Sequence, residues 1–245
     1  MSAHLNVTLL QYTPDPDRAV AIAGRLCYAP VSAAELKQDM SAEDVGKLVR
    51  ILVRSGHHSA LEHASFTFAV DGVSRACTHQ IVRHRLASYN QQSQRYVTFG
   101  PVDSFVVPPS IRANAEAEAV FLTAMAQARA AYDTLVDIGL GEGRKRESVQ
   151  EDARFVLPNA AETKIVVTMN VRELRHFFQV RCCHRAQWEI NALAWRMRAM
   201  LRSVSPYLFE GTGPNCLYGV CGEGKMTCGD PYKPEDVDTP VTAVG

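Results

Sequence analysis

The sequence predicts a single domain of mixed α and β structure. Three observations carry this. Short β-branched runs of strand length, above all Thr163–Met169, alternate along the chain with amphipathic helical patterns. One of those patterns, Ala113 to Leu140, is longer than the rest and rich in alanine. No Gly-x-Gly-x-x-Gly turn is present, so a Rossmann dinucleotide site is not expected. A chain of 245 residues can bury a substantial core. Neither an internal repeat nor a linker divides it, so residues 1–210 read as one domain and 211–245 as a Gly-, Pro- and Cys-containing tail.

His4 to Gln11 is rich in Val and Leu and partly alternating, which predicts the first strand. Thr13-Pro14-Asp15-Pro16 breaks it, and Asp15 or Asp17 is placed to cap a helix from Ala19 to Cys27. Ser41, with Glu43 and Asp44 behind it, opens a second helix whose Val45, Leu48, Val49, Leu52 and Val53 recur at helical spacing. That helix stops near Ser55-Gly56. Phe66–Val70 is a strand, and Val73 to Arg83 a helix delivering His79, Gln80 and Arg83 toward one end. Phe105 to Pro109 closes the next segment, and Gly141 and Gly143 stop the long alanine-rich helix, which reads as scaffold and as an oligomer contact. A shorter helix, Ser148 to Phe155, carries Arg154.

After the strand Thr163–Met169, Asn170 stands at a helix N-cap, and Leu174, Phe177 and Phe178 form the apolar stripe that follows. Arg181 falls on the same stripe. A guanidinium there needs an anion or carbonyl partner, unless the helix has already ended and the side chain points to water. Arg172 and His176, four apart, share another face. A last helix runs from Ala186 to Leu201.

Formal net charge is zero, with 26 basic and 26 acidic residues, which argues against bulk binding to nucleic acid or to a membrane. Arginine heavily outnumbers lysine, which suits fixed, planar anion recognition. A coding bias would produce the same excess, though not its clustering. No apolar run approaches the ~20 residues of a membrane span and the N-terminus lacks a signal-peptide pattern, so a cytoplasmic protein is expected. Its seven cysteines then read as reduced thiols.

Two segments invite a metal reading. Gly56-His57-His58-Ser59-Ala60-Leu61-Glu62-His63 lacks His-Glu-x-x-His spacing and otherwise reads as a polar turn. The tail has Cys216, Cys221 and Cys228 without a Cys-x-x-Cys pair, and reads instead as a loop docked on a neighbouring subunit. No metal is expected in either.

The most informative stretch is Arg83-His84-Arg85-Leu86-Ala87-Ser88-Tyr89-Asn90-Gln91-Gln92-Ser93-Gln94-Arg95-Tyr96. It is almost devoid of aliphatic residues, so it is not a core element. Arginine is suited to bidentate recognition of phosphate, and the amides and hydroxyls to reading the polar edges of a small molecule.

Arg-His-Arg, seven residues, then Ser resembles the signature of the flavin-dependent thymidylate synthases, which methylate dUMP using methylene-tetrahydrofolate and FAD. The resemblance covers Gly56 to Glu189. It implies a central, mainly antiparallel sheet packed with long helices, a homotetramer with FAD bound between subunits, and NADPH as reductant. Positions matching flavin contacts are His57, Ser59, Arg83, His84, Arg85, Asn90, Gln91, Asn170, Arg172 and His176. Positions matching dUMP contacts are Gln80, Arg83, Gln91, Gln92, Ser93, Gln94, Arg95, Arg154 and Arg181, with Arg181 assigned to activating the pyrimidine. Many relatives carry an acid where this chain has Gln91; a hydrogen-bonding role survives there.

The chemistry implied has three needs. A phosphate must be clamped, the uracil ring polarised so that C5 becomes nucleophilic, and a hydride supplied by a cofactor, since no side chain can supply one. Ser93 lacks a Gly-x-Ser-x-Gly elbow or a fixed-spacing base, so it reads as a ligand rather than a nucleophile. Cys27, Cys77, Cys182 and Cys183 equally lack a nucleophile's setting. Two other classes compete. An RNA-binding module is disfavoured by zero net charge, and a flavoprotein reductase without nucleotide substrate by the surplus of Arg154 and Arg181.

Overall fold

A computed structural model describes residues 4–100 and 104–233 of the chain. Strand β1 (Asn6–Tyr12) leads to Asp15, held at a left-handed φ of 42° before helix α1 (Pro16–Leu26). Asp15 sits at the N-cap but caps nothing; its carboxylate accepts from Arg18 Nε at 2.9 Å. Asp17 does not cap the helix either. It is buried, and its Oδ1 accepts from Ser205 Oγ (2.6 Å) and Leu208 N (3.0 Å).

Helix α2 (Ala33–Asp39) is absent from the sequence reading. A capping box makes it: Ser32 Oγ accepts from Glu35 N, and Glu35 Oε2 accepts from Ser32 N at 2.7 Å. It buries only Leu36, which is too little for hydrophobic periodicity to register. Helix α3 (Ala42–Arg54), capped by Ser41, buries Val45, Val49 and Leu52 as its spacing predicted. Gly56 then turns the chain at a φ of 69° into the short helix α4 (His58–Leu61).

Strand β2 (Ser65–Ser74) runs past the expected Val70, so α5 (Arg75–Ile81) starts later than predicted and stops before Arg83. Gly72 permits this extension. Its φ is 69°, and a Cβ there would stand 2.0 Å from the His4 carbonyl oxygen. Strand β3 (Ala87–Gln91) comes from the signature stretch, and α6 (Pro109–Arg112) precedes the long α7 (Ala115–Gly141). Asn114 caps α7 by accepting from Ala117 N at 3.0 Å. Next come α8 (Arg146–Ala153), a 3-10 turn at Arg154–Val156, and β4 (Glu162–Asn170). Helices α9 (Val171–Arg181) and α10 (Trp188–Val204) complete the set.

The strands form an antiparallel sheet in the order β1-β2-β4-β3. β4 is central and buries Thr163, Ile165, Val167 and Met169 in alternation. β3 is an edge strand, the one place in a sheet where so polar a sequence is tolerated.

The chain forms two compact units. One holds residues 4–6, 70–83 and 89–166 of those described, the other 7–69, 84–88 and 167–233. Each is assembled from separated segments, so the boundaries fall within strands and turns and leave no linker in the sequence. The first unit has a core of Phe99, Phe105, Tyr132, Val136, Val149, Ala153 and Ala161, where α7 packs on α8. The second packs α1 on α3 and α9 on α10, around an aromatic cluster in which Phe209 meets Phe66 and Phe178 edge to face. Among the described residues no helix is long and apolar enough to cross a membrane.

Candidate active site

The residues singled out in the sequence divide between the two units. Gln80, Arg83, Asn90, Gln91, Gln92, Ser93, Gln94, Arg95 and Arg154 belong to the first. His57, Ser59, His84, Arg85, Asn170, Arg172, His176 and Arg181 belong to the second.

In the first unit a cavity of 390 Å³ brings together Gln94, from the signature, and Arg154, from the 3-10 turn after α8. Arg75 and His79, both on α5, line it as well. Arg75 is the functional candidate that the sequence did not reveal: as the first residue of a helix whose strand was read too short, its direction was illegible. Burial, and then the neighbouring charge of Arg154, hold its guanidinium pKa below the usual value. Neither arginine has a carboxylate ion pair among the described residues. Two guanidiniums beside one cavity form a site for a multiply charged anion, and phosphate is the common one.

Around this cavity the signature is fixed by local bonds. Gln91 Nε2 donates to Thr78 Oγ1 and to Thr163 Oγ1, each at 3.2 Å. Its amide therefore ties α5 to β4. Ser93 Oγ accepts from Arg95 N at 3.2 Å. Arg95 itself pairs with Glu147 (Nη2–Oε1, 3.1 Å), while its Nε lies 3.1 Å from Glu151 Oε2 without hydrogen-bond alignment. Half-exposed pairs of this kind are weak, so a phosphate can compete for Arg95. Gln80 is half-buried, and Arg83, Asn90 and Gln92 are exposed.

The second unit holds a cavity of 560 Å³. Arg172, Arg175 and His176 from α9 line it, together with apolar Val53, Leu61 and Leu86 and the backbone of Gly211 to Gly213. This mixture of guanidiniums, an imidazole and aliphatic surface suits part of a flavin dinucleotide, whose phosphates are anionic and whose rings are flat and apolar. Arg172 makes an exposed pair with Glu62 at 2.5 Å. Asn170 N-caps α9 by accepting from Glu173 N at 2.9 Å, which orients the helix bearing these groups. His57, Ser59 and Arg85 are exposed and line none of the cavities described here. His58, which the sequence did not single out, lines the large one.

Arg181 ends α9, yet its side chain does not simply point to water. It is half-buried, and its Nε donates to His84 Nε2 at 3.0 Å. His84, the middle residue of Arg-His-Arg, is buried against the edge of Phe177, with its other ring nitrogen 3.0 Å from Glu173 Oε1. Burial pushes the His84 pKa down, Glu173 pulls it up, and Arg181 and His176 push it down again. The net shift is downward, so the ring is neutral at pH 7. Arg181 also lines a cavity of 290 Å³ whose remaining wall includes Asn215, Cys216, Cys221 and Glu223 of the tail.

Residues 211–233 of that tail make several contacts with their own chain. Arg198 Nε donates to the Thr212 carbonyl, Gln179 donates to Asn215, Arg185 pairs with Glu223, and Tyr232 stacks on His184. The rest of the tail, 234–245, lies outside the described residues. All seven cysteines are free, and burial pushes the Cys182 thiol pKa up, which makes it inert. Among the described residues no group of three or more His, Cys, Asp or Glu is arranged to hold a metal ion.

Comparison with known proteins gives this geometry a context. Residues 8–207 match the family model described as "Thymidylate synthase complementing protein". A flavin-dependent thymidylate synthase of Geobacter sulfurreducens is 56% identical over 227 residues, which is 92% of this chain and 94% of the relative. That of Pyrococcus furiosus is 41% identical over 227 residues, 89% of this chain and 90% of the relative. Among solved structures, a UMP/dUMP methylase, PolB, from Streptomyces cacaoi bound with 5-Br dUMP superposes with a TM-score of 0.70 at 26% identity, covering 85% of this chain and 94% of the other. With a family match over most of its length and relatives this similar, the chain belongs to the thymidylate synthase complementing protein family, that of the flavin-dependent thymidylate synthases.

Proposed function

We propose that this protein methylates dUMP at C5 to give dTMP, with methylene-tetrahydrofolate as carbon donor, FAD as bound cofactor and NADPH as its reductant. The observation that carries the substrate assignment is the cavity shared by Arg75, Arg154 and Gln94, whose two guanidiniums have no carboxylate ion pair among the described residues. The family name of the relatives supports the flavin, and the 5-Br dUMP in the PolB structure supports a uridine nucleotide.

Each group of residues has its part in this reading. Arg75 and Arg154, with Ser93 and Arg95, hold the phosphate; charge-assisted bonds from several donors fix it in position and register. Gln80, Gln91, Gln92 and Gln94 read the polar edges of the nucleoside. Arg181 stabilises the negative charge that grows on the pyrimidine as C5 becomes a nucleophile, and so acts on the transition state rather than on binding alone. Arg83, Arg85, Asn90, Arg172 and His176 hold the flavin, with His57, Ser59 and Asn170 around it. When bound and reduced, the flavin supplies the hydride, and no enzyme nucleophile on C6 is required.

The family match over residues 8–207 supports one catalytic domain in 1–210. Helix α7 supports assembly into a homotetramer, because it leaves Val120, Leu122, Leu135 and Ile138 exposed. A cytoplasmic location fits a nucleotide-synthesising enzyme.

The test is tritium release from C5-labelled dUMP by the yellow, purified protein. Release is expected only with methylene-tetrahydrofolate and NADPH both present. NADPH oxidation that ignores dUMP, with no tritium released, would point to a reductase instead.

A further inference from the structure

Glu173 and His84 are a buried acid and a buried imidazole, their side chains only 8% and 5% exposed. Nothing in the proposed chemistry uses Glu173. It stands at the third position of α9, where its backbone N–H, not its carboxylate, is bound by the Asn170 cap. A buried carboxylate with no helix-capping duty needs another reason to be there.

The hydrogen bonds supply one. A guanidinium has only donors, so the bond from Arg181 Nε makes His84 Nε2 an acceptor. In the neutral ring the single proton then lies on Nδ1, which donates to Glu173 Oε1. The carboxylate accepts from that proton and disfavours the opposite tautomer. In that tautomer Nε2 would carry hydrogen and face the Arg181 N–H donor against donor. Both ring nitrogens of His84 are thereby engaged within the unit.

We propose that Glu173 is a positioning residue: by fixing the Nδ1–H tautomer of His84 it aims the Arg181 guanidinium at the reacting ring. The proposal rests on the reading of Arg181 as the ring-activating residue, and it gives His84 a linking part in place of direct flavin contact. The groups facing the imidazole are Glu173, Arg181, His176 and the edge of Phe177. Burial first, then Arg181 and His176, favour the neutral ring on which the link depends, against Glu173.

Nitrogen-15 NMR of the flavin-loaded enzyme reads the tautomer without any variant. The expected result is an Nδ1–H His84 near neutral pH; an Nε2–H ring would overturn the proposal. Glu173→Leu keeps bulk but removes the acceptor. It should lower kcat by about ten- to a hundredfold, the scale of a small misplacement of a reacting group; because Glu173 also lines the 560 Å³ cavity, the rate is taken per bound flavin at saturating FAD. Glu173→Gln retains an acceptor oxygen and should recover most of that loss.

Glu173→Leu is then placed in an Arg181→Ala background. If Glu173 acts through Arg181, the second change adds almost nothing. A merely structural Glu173 would multiply the two losses, and that result overturns the proposal. Arg181→Ala with wild-type kcat would sink the reading of Arg181 and with it the catalytic consequence, while the nitrogen shifts still report whether the link exists. If Glu173→Leu does not fold, the wild-type nitrogen spectrum and the Gln variant decide.

Discussion

Arg75 and Arg154 line one cavity, and burial first, then the positive charge of the second, depress the pKa of the first. Like charges held together in a folded protein store unfavourable energy that a bound anion releases. Removing either guanidinium should therefore weaken the nucleotide through its phosphate. A charge-assisted hydrogen bond contributes about 1.5–3 kcal/mol, so Arg75→Gln and Arg154→Gln should each weaken dUMP by roughly ten- to a hundredfold. Calorimetric titration with dUMP and with deoxyuridine separates the cases. The nucleoside, lacking the phosphate, should bind wild type and variants alike; equal losses for both ligands would remove the phosphate assignment.

How much of this was legible in the sequence depends on the kind of signal. Helices α3 and α9 were readable because each has a capping Ser or Asn and a regular buried face, and α7 because of its long alanine-rich run. Helix α2 was not, since its cap is clear but its only buried residue is Leu36. Arg75 was missed because β2 continues through Gly72, a backbone exception that periodicity does not register. The His84 pairing was beyond reach for a different reason. Glu173 lies 89 residues away in the chain, and nothing local marks a tertiary hydrogen bond.

Ser93 accepts a bond from the backbone N–H of Arg95, the geometry of a short turn that shapes an anion site. Its hydroxyl is a ligand and a turn former in this reading, not a nucleophile. Ser93→Ala should cost about 1 kcal/mol in dUMP affinity, roughly fivefold, and leave measurable turnover. Complete loss of tritium release at saturating dUMP, with affinity intact, would restore the nucleophile.

The amide of Gln91 answers a question raised by the acid found there in many relatives. Both its donors go to threonine hydroxyls, but the Thr78 hydroxyl already gives its one proton to the Arg75 carbonyl at 3.0 Å. Gln91→Glu can therefore keep the bond to Thr163 with its direction reversed but not the one to Thr78, and should lower the melting temperature by less than the loss of both bonds. Gln91→Leu removes both bonds from two buried threonines, at a cost of about 1–3 kcal/mol. Thermal unfolding of the two variants side by side checks this; a Glu variant as unstable as the Leu variant would contradict it.

Arg181 offers the sharpest test of the chemistry. Its guanidinium is anchored at Nε by a neutral imidazole, a partner that does not neutralise its positive charge. Loss of such a preorganised cation typically costs ~3–4 kcal/mol in the transition state, or two to three decades in rate. Arg181→Ala should be yellow, because the 560 Å³ cavity with Arg172 and His176 does not include Arg181. It should be folded but somewhat less stable, by about 1–3 kcal/mol, since His84 Nε2 loses its donor inside the protein. Arg181→Lys should recover only part of the rate. An ammonium keeps the charge, yet it lacks the planar fork whose Nε binds His84. Single-turnover kinetics with bound flavin and saturating dUMP measure this directly. If both variants turn over like wild type, Arg181 is a structural anchor for His84 and the ring-activating cation must be sought at Arg95 or Arg154.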